Sequence, residues 1–293
     1  MNPGSDTRPP PVRRGFVDGG GGQVHYRTAG PAAAGNGGRA AAPLVVLHAS
    51  PGSSRQLVGL IGALAAGRRL IAPDTPGNGD SDPVSQEEPT IADLARGPLA
   101  AIEALTEGPV DLYGSHTGAS IAMEIAIARP ERVRRLILDG MGLYGAAERD
   151  ELLARYALPF TPDGEGTQLT RAWHFCRDQH LFWPWYRREA EARLAGGLPS
   201  PEDLHAFVVE VLKAATTYHR SYRAAFRHPK RERLPRITVP TLVCCAPGDM
   251  LWPSFEDVVA RVPGARRGIL PQGGAVGAPQ ATVAILARFL DGE

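Results

Sequence analysis

Cysteine is scarce in this chain: Cys176, Cys244 and Cys245 are the only three in 293 residues. The count is odd and the spacing irregular, which argues against a disulfide framework or a cysteine zinc site. The adjacent pair sits in an apolar run, where thiols behave as small buried hydrophobes. No apolar stretch reaches the length of a membrane-spanning helix. The first residues, MNPGSDTRPPPVRRG, lack the apolar segment of a secretory signal. Charge of one sign is also missing. The net charge is +1, so nothing in the total draws the chain to nucleic acid or to an acidic membrane. These absences point to a cytoplasmic protein, monomer or homodimer, with no nucleic-acid or membrane partner. No cofactor and no metal is implied.

What is present is an ordinary globular composition, with 43% hydrophobic and 22% charged residues. Residues 1–14 read as a disordered arm, rich in proline, glycine and charge. Short apolar runs at 43–47, 70–72, 110–113, 133–138, 239–245 and near 266–270 alternate with helical periodicity at 54–66, 90–105, 117–129, 254–262 and 278–290. That alternation predicts an α/β fold with a doubly wound, mostly parallel sheet covered on both faces. The rhythm stops between 145 and 232, where Arg, Glu and aromatics follow helical spacing without a strand. The reading is a core made of residues 15–144 and 233–293 with an inserted helical cap, 145–232, over the strand ends where ligands bind in open α/β sheets.

Four turns punctuate the core. They read HASPG at 48–52, DTPGNGDS at 74–81, GSHTGASIAMEIAIARPERV at 114–133 and PTLVCCAPGDMLWP at 240–253. Together and in this order the chain, over roughly residues 23–291, resembles the capped branch of the α/β-hydrolase superfamily. That branch holds esterases, epoxide hydrolases, dehalogenases and C–C hydrolases. The third turn is similar to its G-x-S-x-G elbow, where a sharp strand-to-helix turn presents the nucleophile. Here Gly114 and Gly118 flank His116, and Pro130 falls at the family's spacing from it. A register with Thr117 as nucleophile, between Ser115 and Ala119, misplaces both glycines and Pro130. The catalytic acid implied by the resemblance is Asp249. The histidine that normally follows the last strand is missing: the corresponding turn reads LPQGGAVGAP, and the last histidine in the chain is His228.

A serine triad needs an imidazole base and a carboxylate to orient it. This chain has an imidazole on the elbow instead of a hydroxyl, and none in the usual place of the base. The reading is a His116–Asp249 dyad, with the ring reaching the acid through space left by the Gly273–Gly274 turn. His116 is then a general base toward water, or toward a carbon-bound proton in a lyase or isomerase, and less readily a nucleophile. A third reading is a decayed site that only binds a ligand. The resemblance implies an oxyanion hole from the backbone N–H groups of Ser50 and Thr117. Asp74 and Ser81 read as holders of loop backbone. Candidate substrate contacts are His48, His174, Trp183, Trp185 and Trp252, with His48 also a candidate loop brace. Arg220, Arg223 and Arg227 share a helical face. They are read as partners of Glu189, Glu191 and Glu202, or else as a carboxylate site. The substrate is a small organic molecule.

Overall fold

Runs of Val, Leu and Ile too short for helices and bounded by turn residues become strands here. A computed structural model of the chain describes residues 10–19, 21–31, 41–272 and 278–293. Eight strands form one sheet: β1 (Arg13–Asp18), β2 (Gln23–Ala29), β3 (Leu44–Leu47), β4 (Leu70–Pro73), β5 (Val110–Ser115), β6 (Val133–Asp139), β7 (Thr241–Cys245) and β8 (Arg266–Ile269). Their order is β1-β2-β4-β3-β5-β6-β7-β8; the first two pairings are antiparallel and the rest parallel. Residues 1–9 of the supposed arm lie outside the described residues. Its far end is no arm, because Arg13 and Arg14 already pair with Thr28 and Arg27 across the β1–β2 hairpin.

The central strands are buried along their whole length, as a parallel sheet layered on both sides requires. One face carries α2 (Ile91–Leu105), α3 (Thr117–Ala128) and α9 (Phe255–Arg261); the other carries α1 (Val58–Leu64) and α10 (Ala278–Asp291). Helix α3 is buried on almost every side, so it is mostly apolar rather than amphipathic, and its one carboxylate, Glu124, is paired with Arg233.

Between β6 and β7 come α4 (Ala146–Arg155), α5 (Thr167–Gln179), α6 (Pro201–Lys213), α7 (Tyr218–Arg227) and the short α8 (Lys230–Arg233). Helices α4 to α7 enclose a separate apolar cluster dominated by Tyr156, Phe160, Phe175, Tyr218, Tyr222 and Phe226. The Tyr156 ring lies edge-on or tilted against five other rings. Asp178, fully buried in this layer, is paired with Arg177 and Arg188 at 2.7 Å each, which gives it a structural duty. Polar bonds then fasten these helices to the core loops. Ser221 Oγ meets Ser50 Oγ at 2.8 Å, and Thr217 Oγ1 donates to the Gly77 carbonyl at 2.7 Å. Among the described residues no helix is long and apolar enough to cross a membrane.

Candidate active site

The parallel strands end along one edge of the sheet, and the turns that follow them bring the site together. After β5 the chain turns sharply into α3 at His116, whose φ of 51° and ψ of −106° make it the one non-glycine residue with positive φ among the described residues. A side chain in such a conformation is strained, and only surrounding structure holds it there. Two glycines allow that structure. A Cβ on Gly114 would lie 2.2 Å from the Gly118 carbonyl oxygen, and one on Gly118 would lie 2.4 Å from that of Leu47. The turn is thus pressed against the end of β3 too closely for any other residue type.

From this turn the imidazole reaches across to the loop after β7. His116 Nε2 lies 2.8 Å from Asp249 Oδ2. Asp249 Oδ1 accepts the Leu251 N–H at 2.7 Å, so both carboxylate oxygens are fixed. An ionised carboxylate only accepts, so the shared proton sits on Nε2 and leaves Nδ1 as the lone-pair nitrogen. Burial alone would depress the His116 pKa, but the Asp249 charge and hydrogen bond, with a contribution from Asp139, outweigh it and hold the pKa above 6.5. Burial likewise opposes ionisation of Asp249, and His116 with the Leu251 N–H overcomes it, leaving that carboxyl below its ordinary value.

Room for the ring comes from a residue the sequence reading overlooked. Gly140, directly after β6, has φ +66°, and a Cβ there would lie 2.7 Å from His116 Cδ2 and 2.9 Å from Nε2. The Gly273–Gly274 turn, to which this role was first assigned, lies outside the described residues. Asp139 was also overlooked. Burial raises its carboxyl to about 6, although the Tyr113 hydroxyl donates to it at 2.6 Å and His116 lies close by. A second acid, buried and raised above the usual carboxylate range, therefore stands beside the dyad.

His116 opens on a cavity of about 280 Å³. The core side is lined by Ser50, Thr117, Ser120 and Leu251, the cap side by Tyr156, Trp183, Tyr222 and Phe226. Ser50 and Thr117 stand beside His116 on this wall, and the Thr117 N–H, first in its helix, has no intrahelical acceptor. Gln56, His180 and Phe207 also line an adjoining space of about 570 Å³.

Of the five candidate substrate contacts, Trp183 alone is on the cavity wall. His48 is buried in the loop it braces, with Nε2 accepting the Thr75 N–H at 2.9 Å and Nδ1 donating to the Ala49 carbonyl at 3.0 Å. Trp185 donates from Nε1 to the Tyr156 carbonyl at 2.9 Å and packs edge-on against Phe175. Trp252 stacks on Phe255 at 5.0 Å, against the core. His174 is half-buried on α5 away from the cavity. The cap's aromatic, helical stretch signalled Trp185 and His174, and the resemblance of their turns signalled His48 and Trp252; the direction each side chain takes decided against them. Asp74 accepts the Ser54 and Asp80 N–H groups and pairs with His25, so it organises the loop after β4. The arginine trio meets none of the acids proposed for it. Arg223 and Arg227 pair with Glu88, and Arg220 donates to the Val84 and Gln86 carbonyls, clamping α7 to a core loop.

Residues 42–274 match the protein family described as alpha/beta hydrolase fold. The chain is 39% identical over 108 residues to a 2-hydroxymuconate semialdehyde hydrolase of Pseudomonas sp. (strain CF600), a match that covers 33% of this chain and 36% of that protein. It therefore spans about a third of the length of that relative. It is 27% identical over 237 residues to RutD of Klebsiella pneumoniae (strain 342), a candidate carbamate hydrolase, over 80% of this chain and 84% of that one. Among solved structures, the epoxide hydrolase VrEH1 of Vigna radiata superposes with a TM-score of 0.72 at 19% identity, covering 98% of this chain and 99% of the other.

Proposed function

The chain belongs to the α/β-hydrolase-fold family, and from that premise we propose that it hydrolyses a small organic molecule with His116 as general base in place of a serine nucleophile. The observation that carries this reading is the 2.8 Å bond from His116 Nε2 to Asp249, on an elbow that opens into a cavity between core and cap. In a serine triad the acid holds Nδ1 and the base works through Nε2. Here the acid holds Nε2, so Nδ1 is the nitrogen that takes the proton from a bound water. The resulting hydroxide adds to the scissile carbonyl carbon. The Ser50 and Thr117 N–H groups receive the developing oxyanion. On collapse the imidazolium returns its proton to the leaving group. Asp249 supports the cycle by fixing the tautomer and stabilising the imidazolium.

The hydrolase names of the relatives favour hydrolysis, and the missing hydroxyl at the elbow favours water over a covalent acyl-enzyme. The test begins with a panel of esters, carbamates and β-dicarbonyl compounds turned over in ¹⁸O-labelled water. Wild-type protein should place one label in the product, and His116→Ala should lose roughly 10²–10⁴-fold in rate. A fluorophosphonate probe should leave residues 115–117 unlabelled. Undiminished turnover by His116→Ala ends this reading, and labelling of Ser115 or Thr117 transfers the role of nucleophile to that residue. Product without the label assigns His116 to carbon-bound protons, the lyase chemistry open at the outset.

A further inference from the structure

Lysine is rare in this chain: of its 32 lysine and arginine residues only Lys213 and Lys230 are lysines. Lys213 sits at the surface between Asp80 and Glu210. Lys230 has no such arrangement. It is 6% exposed and lies on the wall of the cavity that holds His116. Its Nζ donates to the Ala225 carbonyl and stands 5.7 Å from the centre of the Tyr144 ring, and both of those residues line the same cavity.

No carboxylate balances it. Among the described residues the cavity lining contains no Asp, Glu or Arg, and no acid lies within ion-pair distance of Nζ. The charged groups on neighbouring elements are engaged elsewhere. Arg231 pairs with Asp257, Arg227 with Glu88, Arg149 with Asp150, and Glu124 with Arg233 and His228. Glu232, on the same short helix, is exposed. A buried ammonium with one carbonyl and one aromatic face as company is incompletely satisfied. Burial accordingly pushes its pKa down to about 7.

We propose that the substrate carries a carboxylate and that Lys230 binds it inside the cavity. This deepens the hydrolytic reading above and rests on it for the identity of the cavity. A single lysine among apolar and aromatic walls suits one carboxylate attached to an apolar body. A phosphate dianion would call for a second cation, and among the described residues Lys230 is the one lysine or arginine on this wall. Lysine also suits a site that must stand empty between turnovers. It sheds its proton when unpartnered and regains it when an anion arrives, which arginine cannot do.

The test is calorimetric and needs no turnover. Benzoate, phenylacetate and cinnamate, each beside its amide, are titrated at pH 8 in two buffers of different ionisation enthalpy. The carboxylates should bind with uptake of close to one proton, and the amides at least tenfold more weakly with none. Lys230→Met should abolish both the uptake and the preference for the acid. Lys230→Arg should keep the preference but bind without uptake, because guanidinium is charged throughout. His116→Ala should keep both the proton uptake and the preference for the acid, whatever it does to the affinity, which separates failure of this site from failure of the hydrolytic reading. The proposal falls if acid and amide bind alike or if no carboxylate binds below 10 mM. It falls equally if the uptake survives Lys230→Met and vanishes in His116→Ala, which would put the anion on the dyad. Borohydride trapping of a carbonyl compound on Nζ would overturn it in favour of an imine-forming amine.

Discussion

On the core side of the cavity, His116 is set by a strained backbone, Asp249 by a bond to the backbone two residues on, and Gly140 by a contact with His116 that leaves no room for a Cβ. On the cap side, Tyr156, Trp183, Tyr222 and Phe226 are set by one another's rings. The two walls respond to change in different ways. Positions on the first are fixed by covalent geometry and hydrogen-bond direction, so small displacements matter to the chemistry. Positions on the second are fixed by packing, which tolerates volume-conserving exchange. A substitution in the core wall should therefore alter how the protein titrates and reacts, and one in the cap wall should alter mainly how firmly the cap holds together.

The largest expected effect tests the first half of that contrast. Asp249→Asn keeps the shape but no longer fixes the tautomer or stabilises the imidazolium, and should lower kcat/KM on the order of 10³-fold. The pH profile carries the sharper information. His116 works as a base only when neutral, so wild-type activity rises with pH through a midpoint above 6.5. With Asp249 neutralised, burial is again the leading influence and the midpoint moves to lower pH, with Asp139 alone resisting. Stability follows the same pair. The raised His116 pKa contributes stability that is complete below 6.5 and is lost as pH rises through the folded value. The depressed Asp249 pKa contributes stability that is complete above 3.8 and is lost as pH falls through its folded value. Chemical denaturation across pH should show the wild-type advantage over Asp249→Asn shrinking at both ends. A rate midpoint that stays in place in the variant would remove Asp249 from the base's environment.

The core was legible because its signals are local. Period-two and period-3.6 runs, and glycines at turns that exclude a Cβ, are properties of a few adjacent residues. That is why the strand and helix positions could be named from the chain, while the His116–Asp249 pair was implied by the resemblance of the two turns that carry it to the hydrolase elbow and acid loop. Gly140 was not legible in that way. The bar to a Cβ there is set by a ring 24 residues earlier in the chain, and nothing beside it in sequence announces the contact. The cap residues were harder still, since helical spacing places Trp185 and His174 on a face without saying which neighbour the face meets. Lys230 was hidden for a related reason: within HPKRER it reads as one more solvated cation, and only the fold buries it. Gly140→Ala makes the point testable. The added methyl overlaps the His116 ring and sits at φ +66°. The backbone strain alone costs about 1–3 kcal/mol, and a displaced ring should lower kcat/KM on the order of 10²-fold. Kinetics and urea unfolding on the same preparation check both. Full activity would mean that the ring has a second productive position.

The smallest effect should come from the cap's packing away from the cavity, at Trp185→Phe. Phenylalanine keeps an aromatic ring against Phe175 but cannot donate to the Tyr156 carbonyl, which the indole N–H now satisfies at 2.9 Å. Losing one such bond costs about 1 kcal/mol, and in a chain of this size that lowers Tm by roughly 2–4 °C. Because Trp185 does not line the cavity, KM should change little and the acid limb of the pH profile not at all. Differential scanning calorimetry and a pH–rate profile read the two quantities independently. A limb displaced by half a unit or more would show that the cap's packing reaches the His116–Asp249 bond. The two walls would then form one mechanical unit, with cap packing setting the electrostatics of the base.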